Sequence, residues 1–230
     1  MRIGLPSTTM VDPFDRIWEA FTHATQTADG RHDTPYWRAH AGPYAACVIR
    51  VPPDPLQPDL DSLRHDLSDL GGVRIHPGHF LHVMVQELGF LVPTPGRPDE
   101  LNLARLEEFA QATASAVANL SPFKLEIGGA NSFEDAVFLE VHPIPPVRLI
   151  HERLFDLAAI THVPAYPYLP HCTIAHYDGT APAPAAVSVL APWRDAICGG
   201  FVVSEIEIVT IDPSQPYPDL ESYAVIPLGF

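Results

Sequence analysis

The sequence predicts an α+β fold, and three observations carry that prediction. Short runs of alternating or continuous apolar residues recur along the 230 residues, at Tyr44–Val51, Phe80–Gly89, Leu169–Tyr177 and Phe201–Ile211. Such runs are the mark of β-strands. Between them lie stretches with apolar residues three and four apart, the period of a helix that buries one side. The two kinds of stretch interleave along the whole chain, which suits sheets covered by helices.

In chain order, Asp12-Pro13 opens a short helix through Phe21, with Asp12 as cap and Pro13 at the first helical position. It lies in an extension, residues 1–42, that continues as polar sequence rich in His, Asp and Gly and precedes the main domain at 43–230. Tyr44–Val51 is a strand. Leu56–Leu70 is a helix, with Leu56, Leu60, Leu63, Leu67 and Leu70 on one stripe. Phe80–Gly89 alternates, with Leu81, Val83 and Val85 on one face and His82, Met84 and Gln86 on the other. Asp99–Leu120 is the strongest helix, and Asp99 is its expected cap. Phe123–Gly128 and Ala136–Val141 form a hairpin around Ala130-Asn131-Ser132. Pro146–Ile160 is helical, Leu169–Tyr177 a strand, and Pro184–Ile197 a helix broken at Pro192. Phe201–Ile211 and Ser222–Pro227 close the chain as strands.

Composition narrows the partners. The formal net charge is −15. A protein that coats long nucleic acid needs a basic surface to displace counterions from many phosphates, so long nucleic acid is not expected as a partner. A small phosphate held in one pocket is compatible with that charge. The 26 prolines cluster in connections such as Val51-Pro52-Pro53-Asp54-Pro55, which predicts stiff loops. Cys47, Cys172 and Cys198 are widely spaced and lack metal-ligand pairing, as reduced thiols of a cytoplasm would be. No apolar run is long enough to span a bilayer and no secretory leader is evident. The expectation is a cytoplasmic monomer that contacts no membrane.

Two strands carry a histidine. In Leu169-Pro170-His171-Cys172-Thr173-Ile174-Ala175-His176, strict alternation places His171 and Thr173 on one face and Cys172 and His176 on the other. In Phe80–Gly89, His82 and Met84 share a face in the same way. Two imidazoles facing one cleft suit the cleavage of a phosphodiester. One removes a proton from the attacking oxygen and the other delivers one to the leaving oxygen, because imidazole titrates near neutral pH. A hydroxyl two residues along the strand, about 7 Å away by strand rise, can hold a phosphoryl oxygen. This scheme needs no metal and no cofactor.

The arrangement resembles the 2H phosphoesterase superfamily, which includes the 2′-5′ RNA ligase-like proteins and cyclic nucleotide phosphodiesterases. That family carries two His-x-Thr/Ser motifs, one on a strand of each of two pseudo-symmetric lobes. Pro170-His171-Cys172-Thr173-Ile174 matches the second motif. His82-Val83-Met84, followed by Leu88-Gly89, matches the first except at Met84, where the family has Thr or Ser. The histidines lie 89 positions apart, as one motif per lobe requires, and the resemblance runs from about Tyr44 to Pro227. It implies two lobes, each an antiparallel sheet with helices on its outer face, around a central cleft. It implies hydrolysis of a 2′,3′-cyclic phosphate, on an RNA end or a small nucleotide. His82 and His171 would be the acid/base pair and Thr173 would orient the phosphate. Tyr168, beside the second motif, and Met84 complete the expected substrate contacts; Tyr166 and Tyr177 flank the same motif.

Met84 opens an alternative. A thioether donates no hydrogen bond, so half the side-chain grip on phosphate is missing. The competing expectation is a phosphate- or nucleotide-binding module on the same fold with impaired catalysis. An RNA ligase is disfavoured by the acidic charge and the lack of a nucleotide-activating lysine motif. His76, His79 and His82 do not form a metal site by sequence, because Pro77-Gly78 turns the chain and no Cys or carboxylate completes a set. Arg74, Lys124, Arg148 and Arg153 are among the few cations able to approach a phosphate.

Overall fold

The computed structural model describes residues 12–32, 34–158 and 167–229. Helix α1, Pro13–His23, starts as expected: the Asp12 carboxylate accepts from Phe14 N. A five-residue helix α2, Thr34–Arg38, precedes strand β1, Tyr44–Arg50. Leu56 falls in a 3₁₀ turn. Helix α3 therefore begins later than its leucine stripe suggests, at Asp59–Leu70, and it buries Leu60, Leu63 and Leu67. Strand β2 is Val73–Ile75 and β3 is His82–Leu91.

Strand β4, Glu100–Leu101, interrupts the expected start of the long helix. Helix α4 runs Leu103–Val117, and its cap is Asn102, which accepts from Arg105 N at 3.0 Å. Asp99 is not the cap, because its carboxylate is held by Tyr36 Oη and faces His40 Nε2 at 3.2 Å. Strands β5, Phe123–Ser132, and β6, Ala136–His142, form the hairpin. Ala130-Asn131-Ser132 belongs to β5, and the turn falls at 133–135. Helix α5 is Ile144–Ala158, and Ile160 lies outside the described residues. Strand β7 is His171–Tyr177 and helix α6 is Ala183–Leu190, followed by a 3₁₀ turn at Ala191–Trp193.

The expected single strand Phe201–Ile211 is two: β8, Ile197–Val203, and β9, Glu205–Ile211, with Ser204 between them. Strand β10, Glu221–Pro227, is last. The strand order is β10-β9-β1-β3-β7-β6-β5-β8, with β2 added to β7 and β4 to β3, in one ten-stranded sheet. All pairings are antiparallel except β3–β4. Strand β8 ends that order on one side and β9 is second from the end on the other, yet one residue joins them. A single residue spans only about 3.5 Å, so the sheet must curl until its two ends approach. The antiparallel sheet with helices that the sequence predicts is present, as one curled sheet rather than two separate ones.

The two faces of the sheet differ. Helices α3 to α6 cover one face over the main core, which includes Leu63, Val83, Leu106, Val141, Leu154, Cys172 and Ile174. The other face holds a smaller apolar cluster of Tyr44, Ala46, Val48, Phe90, Val209, Ile211 and Leu220, with Trp37, Phe80 and Met84 against it.

Candidate active site

The centre of the sheet is the junction of β3 and β7, where Val83 pairs with Cys172. Both side chains are fully buried in the main core. Side chains alternate along a strand, so His82 and Met84 on β3, and His171 and Thr173 on β7, point to the opposite face. All four are half-buried there.

Each strand then bulges at the third residue after its histidine. Pairing passes from Met84 to Gln86 opposite β1 and from Thr173 to Ala175 opposite β6, which leaves Val85 and Ile174 unpaired. An extra residue shifts the alternation by one. His176 is therefore returned to the face of His171, contrary to the strict alternation expected from sequence. Its Nδ1 lies 2.8 Å from Nε2 of buried His76. The burial sequence over seven residues is the same in His82–Leu88 and His171–Tyr177.

The two imidazoles are held alike. His82 Nδ1 lies 2.7 Å from the Phe80 carbonyl, and His171 Nδ1 lies 2.8 Å from the Leu169 carbonyl. In both cases the acceptor is two residues upstream. A carbonyl only accepts, so each Nδ1 carries the proton and each neutral ring presents an unprotonated Nε2. Neither Nε2 bonds a described residue. Phe80 meets His82 edge-on at 5.2 Å between centroids; Phe133 and Phe138 pack on His171, each at 5.1 Å. Burial is the largest influence on both rings and lowers both pKa values. The carbonyl bonds oppose that shift, and the His171 charge lowers His82 further.

Thr173 Oγ1 bonds no other described residue and stands one pleat from His171. Met84 packs against the smaller cluster and stands opposite Val48 in the ladder. Tyr168 is turned the other way. It packs against the main core, stacks on His151 at 3.8 Å, and donates its hydroxyl to the Met84 carbonyl at 2.8 Å. His151 Nδ1 donates to the adjacent Val85 carbonyl at 2.8 Å. Together they satisfy the carbonyls that the β3 bulge withdraws from the ladder. Tyr166 lies outside the described residues.

A family model described as the 2′-5′ RNA ligase superfamily matches residues 52–215. The chain belongs to that superfamily, the 2H phosphoesterases. Solved structures agree on the fold. E. coli LigT, in a crystal structure complexed with 3′-AMP, superposes with a TM-score of 0.62 at 14% identity, over 82% of this chain and 99% of that one. TT0787 of Thermus thermophilus superposes with a TM-score of 0.57 at 18% identity, over 80% of this chain and 97% of that one. Among curated protein sequences none matches the chain.

In this 2H phosphoesterase, several other side chains are committed elsewhere. His79 Nε2 donates to Tyr217 O at 3.0 Å, and His76 and His82 have the separate partners given above. Among the described residues no group of three His, Cys, Asp or Glu is arranged to hold a metal ion. Arg74 lies 3.4 Å from Asp178, Lys124 pairs with Glu126, and Arg153 donates to Ala116 O and Asn119 Oδ1. Glu140 stands opposite His171 in the ladder, but Arg194, Asn131 and His142 occupy its oxygens. The Cys172 thiol is pushed up to about 12 by burial, so it is no nucleophile. No helix among the described residues is long and apolar enough to cross a membrane.

Sequence reasoning missed the aromatic setting of Phe80, Phe133 and Phe138, and the His76–His176 pair. The bulge at Ile174 hid the pair.

Proposed function

We propose that this chain is a metal-independent phosphodiesterase that opens a 2′,3′-cyclic phosphate, with His82 and His171 as the acid/base pair. The observation that carries the reading is the matched anchoring of the two rings: on neighbouring central strands, each Nδ1 is fastened to a carbonyl two residues upstream and neither Nε2 bonds a described residue. A neutral Nε2 takes a proton from water as its oxygen forms a bond to phosphorus. A protonated Nε2 on the other ring gives its proton to the ribose 3′ oxygen as the P–O3′ bond breaks. The product is a 2′-phosphate with a free 3′ hydroxyl, and the two rings have exchanged roles. Thr173 Oγ1 donates to a phosphoryl oxygen. On the Met84 side, main-chain groups must do what a second hydroxyl would. The crystal structure of E. coli LigT with 3′-AMP supports a nucleotide-sized ligand. One chain holds both histidines, so the site works as a monomer, without cofactor. Residues 43–230 would form the catalytic unit, as two lobes around the cleft that holds the phosphate.

The test is turnover of nucleoside 2′,3′-cyclic phosphates in EDTA. Hydrolysis to the 2′-phosphate is the expected result, and no turnover with retained nucleotide binding would overturn it in favour of the second reading. That reading, a binding module of the same fold, is motivated by Met84. It predicts that Met84→Thr creates activity the natural chain lacks.

A further inference from the structure

The family match begins at residue 52, and about a fifth of this chain has no counterpart in the superposed structures. The described part of the extension is nevertheless packed into the fold. At one end of α1, Phe14 is buried against Phe138 and His142, on the face that carries His171. Phe138 in turn contacts the His171 ring, and Asn131 Nδ2 donates to the Phe14 carbonyl. At the other end, Phe21 joins the main core and stacks on Tyr177.

The chain then runs around the far end of β7. Thr27 N donates to Ala181 O, Ala28 N to Glu134 O, and Gly30 N to Tyr177 O. A Cβ on Gly30 would stand 2.7 Å from Cβ of His176, so the strand and the extension touch there. Arg31 ties down to Asp29 and Asp178, both at 2.9 Å. Seven residues after Gly30, Trp37 rests on Tyr44 at 4.4 Å and on Phe90 at 5.7 Å, in the cluster that Met84 also packs against. Seven residues reach at most about 25 Å, so these two anchor points lie within that distance of each other. His82, Met84, His171 and Thr173 lie on the same face as the two anchor points.

We propose that residues 12–32 and 34–42 form walls beside the histidine cleft that select a mononucleotide-sized cyclic phosphate and exclude the end of a longer RNA. Phe14 closes the β6 side, residues 28–31 close the far end of β7, and Trp37 closes the β1 side. A free nucleoside cyclic phosphate fits between these walls, whereas a strand continuing from its 5′ oxygen meets one of them. This inference rests on the catalytic reading above and narrows its substrate class.

The test compares kcat/KM for 2′,3′-cyclic AMP with that for a short RNA ending in the same cyclic phosphate. The natural chain is expected to prefer the mononucleotide by about tenfold or more, a discrimination within reach of steric exclusion. Gly30→Ala pushes the wall off His176, and Trp37→Ala frees α2, which carries no buried residue. Either is expected to shrink that preference by about tenfold while changing mononucleotide turnover little. If Gly30→Ala does not fold, Trp37→Ala decides, because Trp37 lies outside the main core. Equal kcat/KM for both substrates in the natural chain, or an unchanged ratio in the variants, overturns the role of these walls while the catalytic reading stands. Turnover of neither substrate removes both.

Discussion

Val83 of β3 stands opposite Cys172 of β7, and this pair joins the two halves of the sheet. Both side chains are buried on the helix-covered face. The histidine that precedes each of them is thereby set on the other face, one from each half. Packing on one side of the sheet thus fixes the placement of both rings on the other.

Val83→Ala is expected to destabilise the fold by about 2 kcal/mol, the usual cost of deleting buried methyl groups. It is also expected to lower kcat more than it raises KM, because the imidazoles lose their spacing. Urea unfolding and steady-state kinetics on the same sample check both. A stability loss with kcat intact would show that this pair does not set the site.

Removing either imidazole separates anchoring from proton transfer. His82→Asn and His171→Asn keep a donor near the upstream carbonyl but have no Nε2. Each is expected to fold as the natural chain does and to lose about 10²- to 10⁴-fold in rate. Circular dichroism and cyclic-phosphate turnover check this, and wild-type rates in both variants would refute the assignment.

The pH profile has a definite direction. Burial lowers both imidazole pKa values below the ordinary 6.5, and His171 lowers His82 further. The proposed acid/base exchange needs one ring protonated and one neutral. As pH rises through the lowered values the protonated ring is lost; as it falls below them the base is lost. The bell of kcat/KM, which reports the free enzyme, is therefore expected to peak below pH 6.5. A maximum above pH 7 would contradict it.

Tyr168 discriminates a brace from a substrate contact. Its hydroxyl holds the Met84 carbonyl and its ring stacks on His151. Tyr168→Phe is expected to cost about 1 kcal/mol of stability, the net worth of one hydrogen bond, and to leave KM unchanged. A raised KM at unchanged stability would return Tyr168 to the substrate.

Much of this was legible in the residues themselves. The strands at Tyr44, Phe80 and Leu169, and the faces of His82, Met84, His171 and Thr173, follow from alternation with period two. The α1 cap at Asp12 followed from local chemistry. The cap of α4 did not, since Asp99 has the right residue type but is held by Tyr36 and His40 from the extension. The bulges at Val85 and Ile174 left no mark that alternation could reveal, so His176 was assigned to the wrong face. Phe201–Ile211 looked continuous because both of its strands are apolar, while their separation at Ser204 depends on how far the sheet curls.

The chain's own order of residues determined which side chains are offered: two histidines, each opening a strand, with a threonine behind one and a methionine behind the other. That is a local matter, settled by the pleat within a few residues. Only the folded chain decided what those side chains meet. The Val83–Cys172 register and the packing of Phe133 and Phe138 on His171 join positions far apart in sequence. Their placement comes from burying apolar surface across the whole sheet, which no short stretch of sequence encodes.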